Sequence, residues 1–131
     1  MKGRLRIVMK DDRDSAIGRG GYLLPEHFAP RMAQLVHATA ESVEALFPTA
    51  RVLRITEGWR PQRSPNKRDA HATLDALDFT IEFTGSQRAT FEEYTEVVAR
   101  ARAIVGDANY DFLVHGEAAN LHIHGEYDPH Q

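Results

Sequence analysis

Residues 77–83, Leu77-Asp78-Phe79-Thr80-Ile81-Glu82-Phe83, alternate apolar and polar side chains without a break. That is the two-residue period of a half-buried strand. Leu77, Phe79, Ile81 and Phe83 are expected to face a core, and Asp78, Thr80 and Glu82 the opposite side. A second stretch repeats the arrangement, with Leu121 and Ile123 alternating with His122, His124 and Glu126. Histidines at i and i+2 share one face of a strand, which they would not do on a helix. If the two strands are sheet neighbours, Asp78, His122 and His124 lie on one surface. His71, on the loop entering the first strand, can then close over it.

Working outward, Ile7-Val8-Met9 is a short apolar patch, followed by a charged turn and a glycine-rich stretch at Gly18, Gly20 and Gly21. From about Pro25 to Phe47, the residues Phe28, Met32, Leu35, Val36, Val43, Leu46 and Phe47 fall at helical spacing, and Pro48 ends the segment. Val52 to Ile55 reads as a strand and Gly58 to Arg68 as a loop. Gly85-Ser86 turns the chain. Thr90 with Glu93 forms a capping box ahead of Phe91, Tyr94, Val97, Val98, Ala101 and Ile104, with Gly106 as the C-terminal stop. The apolar stripes of both helices are expected to be core. Tyr110 to Val114 and Asn120 to Tyr127 read as a hairpin joined through His115-Gly116-Glu117. This order implies an α+β fold. We expect a single domain over residues 1–131, a mostly antiparallel sheet with two helices packed on one face and the histidines on the other, open face.

Composition narrows the function. The 131 residues are 42% hydrophobic and 27% charged, ordinary values for a globular chain that buries its own core. A formal net charge of -3 gives no reason to expect nucleic acid or an anionic membrane as partner. With no cysteine, thiolate metal ligands, disulfides and a cysteine nucleophile are excluded. Residues 1–10 lack a signal-peptide apolar run, and no stretch approaches the roughly 18 apolar residues of a membrane span. The basic group Arg60, Arg63, Lys67 and Arg68 lacks interleaved aromatics, so a solvated loop lining a groove is expected rather than a nucleic-acid patch. His27, His37 and His130 are read as structural or exposed.

Six residues separate His71 from Asp78, and His122-Ile123-His124 follows about forty residues later. Imidazoles and a carboxylate are what a catalytic zinc uses, three from the protein with one place left for water. No other cluster in the chain combines such chemistry with such spacing. Glu117, on the loop before the last strand, is a reserve general base. His115 is a candidate to orient a ligand imidazole through a hydrogen bond.

These residues also carry a resemblance. Ile55-Thr56-Glu57-Gly58-Trp59-Arg60 resembles the Ser-Gly-Tyr-Arg segment of zinc D-Ala-D-Ala peptidases. Asp69-Ala70-His71 through Asp78-Phe79 resembles their Ser-x-His-x-x-Gly-x-Ala-x-Asp motif, and Leu121-His122-Ile123-His124 their closing His-x-His. The wider group includes lysostaphin-type peptidases and the hedgehog signalling domain. The resemblance covers roughly Val52 to Tyr127. It implies His71, Asp78 and His124 as ligands of a Zn2+ ion, His122 as the group that takes or stabilises protons, and Arg60 as the contact to a substrate carboxylate or carbonyl. Asp69 stands at the motif's serine and Leu74 at its glycine. Leu121 stands where some relatives carry an acidic base, so the resemblance implies the variant in which His122 serves instead.

The activity implied is hydrolysis of an amide bond in peptidoglycan stem peptides, at D-Ala-D-Ala or a neighbouring linkage, by a monomeric zinc metallopeptidase. Made in the cytoplasm without an export signal, such a protein would reach the wall only after release, as a phage-encoded lytic protein does. The alternative expectation is a metal-binding structural or binding protein of the same fold with weak or no catalysis, such as a phage particle component.

Overall fold

A computed structural model describes residues 5–9, 30–57 and 75–129. His71, Arg60, the expected loop Gly58–Arg68 and the motif positions Asp69 and Leu74 lie outside the described residues. Among the described residues there are five strands and two α-helices: β1 Arg6–Met9, α1 Pro30–Leu46, β2 Val52–Glu57, β3 Ala76–Glu82, α2 Phe91–Val105, β4 Tyr110–His115 and β5 His122–Tyr127. The strands form one mixed sheet in the order β1-β2-β3-β5-β4. β1 runs parallel to β2, and every other pair is antiparallel. The apolar patch at Ile7-Val8-Met9 is therefore an edge strand. A parallel neighbour needs a crossover rather than a tight turn, and α1 lies in that crossover between β1 and β2.

α1 begins at Pro30, whose missing N–H costs nothing in a first turn. α2 starts at the capping box. The Thr90 side chain accepts from Glu93 N–H while the Glu93 carboxylate accepts from Thr90 N–H, and the helix stops at Gly106 in the left-handed region with φ 61°. One face of each helix closes the core. Met32, Leu35 and Val43 of α1, with Tyr94, Val97 and Ala101 of α2, pack against Leu53, Ile55, Leu77, Phe79, Ile81, Phe112 and Ile123 of the sheet, all fully buried. Burying side chains of this size contributes roughly 1.5–3 kcal/mol each. The α2 stripe is shorter than its spacing suggests, because Phe91 and Ile104, at the two ends of the helix, are exposed. In β5 the core-facing position after Ile123 is Gly125. A Cβ there would stand 3.0 Å from Leu35 Cδ2 and 3.3 Å from Phe112 Cδ1, so the missing side chain is what lets α1 approach the sheet.

β3 is the central strand, and all seven of its residues are buried. This corrects the expectation of an open polar face: Asp78, Thr80 and Glu82 are buried too. The physical reason is position, since a strand flanked on both sides has its outward side chains walled in by those of its neighbours. Charges so placed need partners. Glu82 has one in Arg54 of β2, a forked contact with Nε to Oε2 at 2.6 Å and Nη2 to Oε1 at 3.2 Å.

Two irregularities in β3's pairing shape the surface around Asp78. On the β2 side, the register shifts between Ile55, opposite Phe79, and Glu57, opposite Asp78, leaving Thr56 as the extra residue of a bulge. On the β5 side, the ladder ends at Phe79–Ile123. Beyond it, the Ile81 N–H donates to the Tyr94 hydroxyl at 3.2 Å, and the Ile81 carbonyl accepts from Ala89 N–H at 3.1 Å. The segment leading into α2, with Tyr94 of the helix, thus takes the place of the strand, and a cleft opens beside it. The β4–β5 connection is longer than a three-residue turn. His115 still belongs to β4, and Asn120 ends a short 3-10 turn, Ala118–Asn120, instead of starting β5.

Candidate metal centre and its cleft

The register of β3 and β5 makes Asp78 and His124 direct partners. Oδ1 of Asp78 and Nδ1 of His124 are 2.8 Å apart. The other ring nitrogen, Nε2, meets Glu126 Oε1, also at 2.8 Å. Glu126 follows His124 by two residues, so it is on the same strand face. A neutral imidazole has one N–H and cannot donate to both carboxylates at once, whereas an imidazolium can. Burial alone would push the His124 pKa down, but the hydrogen bonds and charges of Asp78 and Glu126 outweigh it and hold the pKa above its ordinary value.

His122 completes the row. Its Nε2 is 3.8 Å from Asp78 Oδ2, and its Nδ1 is 2.7 Å from the carbonyl of Asn120. A carbonyl only accepts, so Nδ1 carries the hydrogen and Nε2 presents its lone pair, or a second proton, toward Asp78. The acceptor carbonyl belongs to the 3-10 turn, and Gly116 is the reason that turn can lie so close. Gly116 has φ +83°, and a Cβ on it would collide with Asn120 O and stand 3.4 Å from His122 Nδ1. His115, opposite His122 in the β4–β5 register, meets it edge to face with ring centroids 5.5 Å apart. Glu117, the reserve base, is exposed, and its backbone carbonyl accepts from Asn120 N–H at 3.0 Å.

The donor chemistry suits zinc at two positions. Asp78 Oδ1 and His124 Nδ1 are a hard oxygen and a borderline nitrogen facing each other at 2.8 Å. Both are donors that a zinc ion would take in place of the proton they share. Glu126 would then hold the remaining Nε2–H of His124, the carboxylate–histidine contact that orients metal-bound imidazoles. Among the described residues, no group of three or more histidine, aspartate or glutamate side chains is arranged to hold a metal ion. The expected third ligand, His71, and the expected substrate contact, Arg60, lie outside the described residues.

Beside the row lies a cleft of about 240 Å3, lined among others by Thr56, Thr80, Arg88, Asn120 and His122. Of the residues grouped here, sequence reading did not assign Glu126, Asn120, Thr80 or Arg88 to the site. The i+2 spacing to His124 was a usable signal for Glu126. A backbone carbonyl, a threonine and an arginine across the sheet give none.

Among the described residues, no helix is long and apolar enough to cross a membrane. No protein-family model matches the chain, and no curated protein matches it at significant similarity.

Proposed function

We propose that this chain is a zinc-dependent peptidase that hydrolyses an amide bond in the stem peptides of peptidoglycan, at D-Ala-D-Ala or a neighbouring linkage. The observation that carries the reading is the cross-strand pair Asp78–His124, with His122 Nε2 beside it and its tautomer set by Asn120. In this reading Asp78, His124 and His71 would hold the ion, and Glu126 would keep the His124 ring in position. When bound, the ion supplies Lewis acidity toward the scissile carbonyl and a water acidic enough to attack near neutral pH. His122 would accept a proton at Nε2 from the attacking water and return it to the departing amine, as a general base and then acid. Arg60 meets a carbonyl or carboxylate of the substrate, where its planar fork of donors gives direction as well as charge.

Two measurements test this together. Metal analysis of the purified chain should find about one zinc per molecule, lost in His124→Ala. Purified cell walls should release soluble peptides, with release abolished by chelation and restored by zinc. A chain that holds zinc yet releases nothing from any wall type is a metal-binding structural or binding protein instead.

A further inference from the structure

Thr80 is only 3% exposed, and among the described residues its hydroxyl has no hydrogen-bond partner. The contrast with the rest of the core is informative. Thr39 and Ser42, equally buried, return their hydroxyls to the carbonyls of Leu35 and Ala38 at 2.9 and 2.8 Å. An unsatisfied buried hydroxyl is costly, and native structures keep few of them. Thr80 is also where the β3–β5 ladder has just ended. Carried one step past Phe79–Ile123, the register sets Thr80 opposite His122, and both line the cleft. Across it stands Arg88, exposed, with Nη1 donating to the Ala119 carbonyl at 2.8 Å. That bond aligns the guanidinium at the cleft and uses one of its five N–H donors. Glu82, which pairs with Arg88 in an isolated bridge, already has its carboxylate on Arg54.

We propose that this cleft is a carboxylate subsite, in which Arg88 and the Thr80 hydroxyl bind a carboxylate of a peptide ligand next to His122. Both groups donate, one charged and planar, the other buried and otherwise unpartnered, which is the arrangement a planar anion satisfies. The subsite rests on the peptidase reading only for what the carboxylate belongs to. Binding itself requires neither metal nor turnover.

The test is a nuclear magnetic resonance titration of the metal-stripped, chelator-free full chain with N-acetyl-D-alanine and, separately, with its C-terminal amide. Saturable shifts are expected at Thr80, Arg88 and Asn120–His122, at least tenfold weaker for the amide. Thr80→Val and Arg88→Gln should each weaken binding at least tenfold, and Thr80→Ser should retain it. Equal binding of acid and amide, or wild-type binding by folded Thr80→Val, overturns the proposal, as does inorganic phosphate binding more tightly than the carboxylate. Wall cleavage lost with this binding intact counts against the peptidase alone. Binding absent from a chain that still cleaves walls counts against the subsite alone.

Discussion

Asp78 and His124 are directly paired residues of two adjacent antiparallel strands, and the 2.8 Å between Oδ1 and Nδ1 follows from that register. A one-residue slip of β5 would turn His124 toward the helices and bring Ile123 to the polar side. The contact is therefore as secure as the core that sets the register, in which Phe79 and Ile123 are fully buried.

Removing the charge from this pair should cost stability and metal together. Asp78→Asn leaves His124 without its stronger partner in a site where the Asp78 side chain is 12% exposed. A hydrogen bond to a charged group contributes about 1.5–3 kcal/mol, and a loss in that range is expected in urea unfolding near about pH 5.5, where the carboxylate is ionised and the imidazole protonated. Zinc content should fall to background. Unchanged stability would mean that the pair contributes nothing to the fold.

The raised pKa of His124 gives the metal-free chain a pH signature. Burial opposes protonation and the two carboxylates override it. The folded value therefore lies above the unfolded value of about 6.5. The stability this contributes is complete below the unfolded value and is lost as pH rises through the folded one. The stability difference between wild type and His124→Gln should be larger near about pH 5.5 than near about pH 8.5, and a difference that grows with pH would contradict it. Since an ion must displace the proton at Nδ1, apparent zinc affinity should rise over the same range.

Gly116 is expected to govern activity without touching the metal. In Gly116→Ala the new methyl would strike Asn120 O, the acceptor that orients His122, and alanine would be strained at φ +83°. Strain of this kind costs about 1–3 kcal/mol. The variant should keep its zinc and lose most wall-cleaving activity. Retained activity would show that the Asn120–His122 bond does not set the histidine's role.

Thr80→Val is expected to stabilise the unliganded chain. The change is nearly isosteric and removes a buried hydroxyl that has no partner among the described residues, which is worth on the order of 1 kcal/mol. A higher denaturation midpoint without ligand, from a variant that has lost the carboxylate, would mark the hydroxyl as retained for function. A lower midpoint would mean that the hydroxyl is satisfied in solution.

Much of the fold was legible because its signals are local. The alternation of Leu77 to Phe83, the Thr90–Glu93 box and Gly106 each act within a few residues; the helix cap and stop appear as expected, and the strand runs from Ala76 to Glu82. Phe91 and Ile104 carry helical spacing, but exposure at a helix end depends on where the sheet stops, and spacing holds no such information. β1 was legible only as an apolar patch, because a parallel edge strand is defined by a partner far along the chain.

The sequence by itself determined that His122, His124 and Glu126 share a face opposite Ile123, because a strand's period is fixed by backbone geometry. It could not determine that β5 lies beside β3 with Asp78 opposite His124, or that the ladder stops short of Thr80. Those are decided by how two strands 46 residues apart fit against the same pair of helices. Burial of the polar side of β3 likewise follows from its central place in the sheet, which only packing assigns.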